Sequence, residues 1–127
     1  RKIAHFIMKN RPSKKDYIPY WDYNAPDIPN APRDASAAAI TASALLELGG
    51  YVDDHKLGDS YIKYAENILK QLSSSDYLAK ENENKGFILK HSVGNYPGKS
   101  DIDVPLNYAD YYYLEALNRY SGLKKFN

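Results

Sequence analysis

At 127 residues, 43% hydrophobic and 26% charged, the chain has the composition of one ordinary globular domain. It lacks the polarity of a disordered segment and the run of roughly 20 apolar residues that a membrane-spanning helix needs. Seventeen basic against sixteen acidic residues leave a net charge of +1, which argues against the strong positive field of a nucleic-acid binder, and the absence of cysteine excludes disulfides and thiolate metal sites.

In chain order, residues 1–10 place Ile3, Phe6 and Ile7 at helical spacing with Lys2 and Lys9 off that face, as in the last turns of a longer helix. Residues 11–32 read as loop. Pro12, Pro19, Pro26, Pro29 and Pro32 each remove a backbone donor and bias the preceding residue away from helix. An irregular stretch of that length inside a domain is often functional. This one holds IPYWDYNAP, where Tyr20, Trp21, Asp22, Tyr23 and Asn24 form the densest cluster of aromatic and polar groups in the chain.

Residues 32–50, PRDASAAAITASALLELGG, predict a helix around which the rest is organised. Asp34 suits the N-cap, because its carboxylate accepts first-turn N–H groups and complements the positive helix end. Gly49 and Gly50 are the expected stop after Leu48. Only Ser36, Thr41, Ser43 and Glu47 are polar between cap and stop, so the pattern predicts an inner helix buried on every side, with Arg33, Asp34 and Ser36 at a first turn able to face a cavity.

A short connection leads to Asp59, the expected cap of a second helix. There Tyr61, Ile62, Ala65, Ile68, Leu69 and Leu72 form one apolar stripe, the mark of an outer helix. Residues 75–80 suit a short helical turn, 81–85 a solvated loop, and GFIL at 86–89 the one expected strand. Residues 91–105, HSVGNYPGKSDIDVP, read as irregular, ending in the loop carboxylates Asp101 and Asp103. Paired carboxylates are the raw material of acid–base catalysis, but solvated loop aspartates share that spacing. Helical spacing returns over 106–117 with Tyr108, Ala109, Tyr112, Leu114, Ala116 and Leu117, and 119–127 is polar. The histidines at 5, 55 and 91 show no metal-ligand spacing, and no phosphate-binding glycine loop or nucleophile elbow occurs, so no cofactor is expected.

Both long loops precede inner-type helices, which places them at one end of a helical toroid. Thirteen tyrosines beside three phenylalanines and one tryptophan suit half-buried, wet surfaces, because a buried phenol ring still needs a partner for its hydroxyl. Sugars fit such surfaces: their C–H faces stack on rings while their hydroxyls require donors and acceptors.

These blocks carry a family resemblance. PYWDYNAP, PRDASAAAITASALLELGG, HSVGNYPG, SDIDVP and YADYYYLEALNRY resemble, in order and spacing over residues 20–120, the C-terminal third of the unsaturated glucuronyl hydrolases, glycoside hydrolase family 88. The resemblance implies an all-α fold, here the C-terminal part of an (α/α)6 barrel whose members are about three times this length. It implies a bacterial enzyme of periplasm or cytoplasm that removes a 4,5-unsaturated uronic acid from the non-reducing end of lyase-generated oligosaccharides. In that chemistry a carboxylic acid protonates C4, water adds at C5, and the resulting hemiketal opens. The family's catalytic aspartates lie upstream of Arg1, so no catalytic residue is expected in this chain, whose partners would be the upstream two thirds of the barrel and the oligosaccharide, with neither nucleic acid nor membrane. Substrate contacts are expected from Tyr20, Trp21, Arg33, Asp34, Ser36, His91, Ser92, Asn95, Tyr96, Lys99 and Ser100. Lys99 and Ser100 are shifted relative to the serine-and-lysine pattern by which some members contact a sulfated or neutral second sugar. The competing reading of the same residues is a non-catalytic helical domain that grips a glycan or peptide.

Overall fold

The computed structural model describes residues 1–124. Its elements are α1 (Lys2–Lys9), α2 (Ala35–Tyr51), α3 (His55–Leu72), a 3-10 turn (Asn84–Gly86), β1 (Ser92–Asn95), β2 (Ser100–Val104) and α4 (Asn107–Lys124). The antiparallel pair β1–β2 is the one sheet among the described residues, with a register irregularity between Ser92 and Val93.

Helix α2 lies at the centre, packed against α3 on one side and α4 on another. Ala35, Ala38, Ala39 and Ala42 are wholly buried, and Leu45 and Leu46 nearly so. Methyl side chains let three backbones come together with little side-chain entropy to lose. The larger volume is supplied from outside this helix: Ile18 from the first loop, Tyr61, Ile68 and Leu72 from α3, Leu89 from the second loop and Tyr113 from α4. The Tyr113 hydroxyl is satisfied at 2.8 Å by Ser73.

Several sequence expectations are corrected here. The helix does not stop at Gly49–Gly50 but runs to Tyr51 and ends at an extended Val52. Gly49 serves a close crossing instead. A Cβ on Gly58 of α3 would sit 2.8 Å from the Gly49 carbonyl oxygen, and a Cβ on Gly49 would meet Ile62 Cγ1 at 2.9 Å. Burial of α2 is also not all-round: Ile40 is 39% exposed, Ala44 and Glu47 are exposed, and Ile40 and Ala44 line an apolar groove with Ile3, Ile7 and Leu48. Helix α3 begins at His55, four residues ahead of the expected cap, because Asp54 accepts from the Leu57 N–H at 3.2 Å.

Residues 86–89 form no regular strand. The Asp110 carboxylate of α4 takes the Ile88 and Leu89 N–H groups at 2.8 Å each, and on its other side the segment makes a single antiparallel bridge, Leu78 to Leu89, with Ala79 N–H donating to the Ile88 carbonyl at 2.9 Å. The real strands fall in the stretch read as irregular. Finally, α4 continues to Lys124, and its buried line is Ala109, Tyr113 and Ala116, while Tyr108 and Leu114 are 39% and 51% exposed. The expected polar tail at 125–127 lies outside the described residues.

Candidate functional site

The two irregular segments meet at the N-terminus of α2. Backbone bonds fasten them there: Trp21 N–H donates to the Pro32 carbonyl at 3.0 Å, Asp34 N–H to Pro19 at 2.9 Å, and Ala35 N–H to His91 at 3.0 Å. Asp34 is the hub. One buried carboxylate oxygen accepts from Ser36 N–H (2.9 Å), the Ser36 hydroxyl (2.6 Å), Ala37 N–H (3.3 Å) and, across to β1, Val93 N–H (3.3 Å). The cap predicted from local sequence therefore also positions the hairpin, and Ser36 is bound to the cap beneath the surface.

Arg33 is a clamp. Its guanidinium pairs with Asp16 at 2.7 Å, donates to the Ile18 carbonyl at 2.7 Å, and lies 3.9 Å from the Tyr20 ring centroid. Above this floor opens a cleft of about 680 Å³ lined by Asn30, Pro32, Arg33, Ser75, Asp76, Tyr77, Lys90, His91 and Asp103. Burial pushes the Tyr77 phenol above its ordinary pKa, so it remains an O–H donor at neutral pH. Lys90 is tethered to the Ser75 carbonyl at 2.9 Å.

Beside the cleft, Trp21 and Tyr96 stack with centroids 4.1 Å apart and planes 15° from parallel, joining the first loop to the hairpin. Two buried polar atoms in this region, Trp21 Nε1 and Ser92 Oγ, have no hydrogen-bond partner. Burying such groups unpaired costs about 1–3 kcal/mol each, so each calls for a partner or a role beyond packing. At the hairpin tip, Asn95 Oδ1 accepts from Gly98 N–H at 3.0 Å, and Lys99 and Ser100 are exposed.

His91 and Asp103 face each other across the hairpin, Nδ1 to Oδ1 at 2.5 Å, with the edge of Tyr77 against the imidazole. Both residues have positive φ, 64° and 55°, as do Lys99 and Asp101. Non-glycine residues held there cost about 1–3 kcal/mol each, even though His and Asp tolerate it better than most. A hydrogen-bonded pair as exposed as this one, 46% and 60% by side chain, returns at most about 1 kcal/mol. The pair is therefore not explained by stability.

Of the expected residues, Arg33 and His91 line the cleft, Trp21 and Tyr96 form the adjoining stack, Tyr20 supports Arg33, Asp34, Ser36 and Ser92 lie beneath, and Asn95, Lys99 and Ser100 occupy the tip. Asn30, Tyr77 and Lys90 escaped sequence reasoning because isolated residues in loops carry no spacing signal. Asp103 was visible only as half of a carboxylate pair with Asp101, whereas its partner is His91. No group of three or more His, Asp or Glu residues among those described could hold a metal ion.

No family model matches the sequence. The chain is 48% identical over 120 residues to an unsaturated glucuronyl hydrolase of Formosa agariphila, covering 94% of this chain and 29% of that protein. It is 34% identical to one of Bacillus sp. strain GL1, covering 94% and 31%. The crystal structure of an unsaturated glucuronyl hydrolase specific for heparin superposes with a TM-score of 0.89 at 56% identity, over 97% of this chain and 32% of that one. The chain is homologous to the unsaturated glucuronyl hydrolases. It spans about three tenths of the length of these relatives, and its helices correspond to part of their (α/α)6 barrel. A Streptococcus agalactiae unsaturated glucuronyl hydrolase mutant complexed with dGlcA-GalNAc6S also superposes, with a TM-score of 0.71 at 30% identity over 82% of this chain and 28% of that one.

Proposed function

We propose that residues 1–127 are the C-terminal segment of a single (α/α)6-barrel glycosidase that removes 4,5-unsaturated uronic acid from the non-reducing end of lyase-generated oligosaccharides by hydrating the vinyl ether double bond. The observation that carries this reading is the 56% identity, over 97% of the chain, to the heparin-specific enzyme. The segment would supply walls of the sugar site, with the catalytic acid outside it, and the substrate contacts are sought among Tyr20, Trp21, Arg33, Asp34, Ser36, His91, Ser92, Asn95, Tyr96, Lys99 and Ser100. A stacked aromatic pair beside a polar cleft is the surface that a sugar ring and its hydroxyls require.

The barrel assignment is supported by apolar surface on two sides of the segment: Ile3, Phe6 and Ile40 near α1, and Tyr108, Tyr111 and Leu114 along α4, all at least 39% exposed. The proposed setting is a bacterial periplasm or cytoplasm; among the described residues no helix is long and apolar enough to cross a membrane.

The test is an assay of the complete protein on an unsaturated uronosyl disaccharide. Reaction consumes the C4–C5 double bond, so its ultraviolet absorbance should disappear, insensitive to chelator, while saturated glycosides remain intact. Release of saturated uronate, or full activity from residues 1–127 alone, would overturn the reading.

A further inference from the structure

Among the groups lining the cleft, His91 is held in an unusual way. Its carbonyl is tied to the first N–H of α2 at 3.0 Å, its ring abuts Tyr77, and its Nδ1 lies 2.5 Å from Asp103 on the opposite strand. A carboxylate can only accept, so the proton between them resides on Nδ1 whenever the imidazole is neutral. That leaves Nε2 as a lone-pair acceptor, and no hydrogen bond to it occurs within the described residues. The left-handed backbone at both residues is strain that an exposed pair does not repay, and strain of that kind is retained where a side chain must be aimed.

We propose that Asp103 is a positioning residue that locks His91 in its Nδ1–H tautomer, presenting Nε2 as an acceptor for a sugar hydroxyl in the cleft. The proposal deepens the glycosidase reading and rests on it for the identity of the ligand. His91 contributes to binding rather than to proton transfer, so the interaction would be made equally in ground and transition states.

Two measurements on the complete protein decide it. With the histidines 15N-labelled, two-bond proton–nitrogen correlation at alkaline pH should show His91 in the Nδ1–H form in the wild type. It should show a shift to the commoner Nε2–H form in Asp103→Ala, with Asp103→Asn, which keeps an acceptor oxygen, retaining much of the wild-type signature. With unsaturated disaccharide, Asp103→Ala and His91→Ala should each raise KM about fivefold or more while kcat stays within about twofold, the pattern of lost uniform binding. Asp103→Asn should fall between Asp103→Ala and the wild type, and the double variant should be no worse than His91→Ala. An Nε2–H signature in the wild type overturns the proposal, as does a KM unchanged when the tautomer is lost. A loss confined to kcat would overturn it too, by making His91 a participant in chemistry. If the wild type leaves the disaccharide untouched, the glycosidase reading fails, and the tautomer spectrum still judges the lock on its own.

Discussion

The three-helix core and the region at its N-terminal end are built on opposite principles. Around α2 the chain uses alanine and glycine to bring backbones together and leaves few polar groups to satisfy. Ser43 is the exception, and its hydroxyl and carbonyl are both taken, by Glu115 and Arg119. Around the cleft the chain uses prolines, strained left-handed residues and aromatic rings, and it leaves Trp21 Nε1 and Ser92 Oγ buried without partners. A core made that way tolerates little change in volume, whereas the cleft region holds groups whose arrangement stability alone does not account for. The difference separates residues that maintain the fold from those available for a ligand.

The contrast is broken most forcefully from the core side. Leu72→Ala empties a wholly buried position and should lower unfolding stability by about 2–5 kcal/mol in denaturant titration. Gly58→Ala comes next. Its methyl would fall 2.8 Å from a backbone oxygen and 3.2 Å from Val52 Cγ2, and forcing α2 and α3 apart should cost about 1–3 kcal/mol. A Gly58→Ala protein as stable as the wild type would show that the close crossing is not required.

From the other side, Trp21→Ala in the complete protein should reduce turnover of unsaturated disaccharide at least about tenfold, roughly 1.4 kcal/mol, with little change in unfolding midpoint. Equal losses in turnover and stability would place Trp21 with the core instead. Gly50→Ala sharpens the glycine comparison because the added methyl meets nothing within 4 Å. In the last turn of α2 it should raise stability by about 0.4–1 kcal/mol, opposite in sign to Gly58→Ala near the start of α3.

The smallest effect is electrostatic. On α3, Glu66 pairs with Lys63 at 2.9 Å and Lys70 at 3.0 Å, and hydrogen bonds from these two lysines lower its pKa from 4.5 to about 2. A carboxyl depressed in the folded state stabilises above its unfolded value and loses that contribution as pH falls through the folded one. Glu66→Gln should therefore be less stable than the wild type by no more than about 1 kcal/mol near neutrality, given solvent screening, and the gap should close between pH 4.5 and about 2. Acid titrations that run parallel for the two proteins would remove the pairs from the stability of α3.

Much of the helical framework was determined by sequence alone, because its causes are local. An alanine run behind an aspartate specifies α2, a three-and-four apolar stripe specifies α3, and five prolines within residues 11–32 forbid regular structure there. The family was legible for a related reason, since its blocks are contiguous strings. What tertiary structure decided is everything that depends on a distant partner. Gly49 and Gly50 look like a helix stop until α3 is seen crossing at Gly58, and Ile40 and Ala44 look buried until the neighbours of α2 are counted. The strands 92–95 and 100–104 are only four and five residues long, so the alternation of Asp101 and Asp103 with Ile102 and Val104 is too brief to stand out from the glycine- and proline-bearing stretch around it. The stacking of Trp21 on Tyr96 and the pairing of His91 with Asp103 follow only once Asp34 has fastened both loops to one helix end. Propensity acts over a few residues, whereas this site is assembled by contacts between segments that are far apart in the chain.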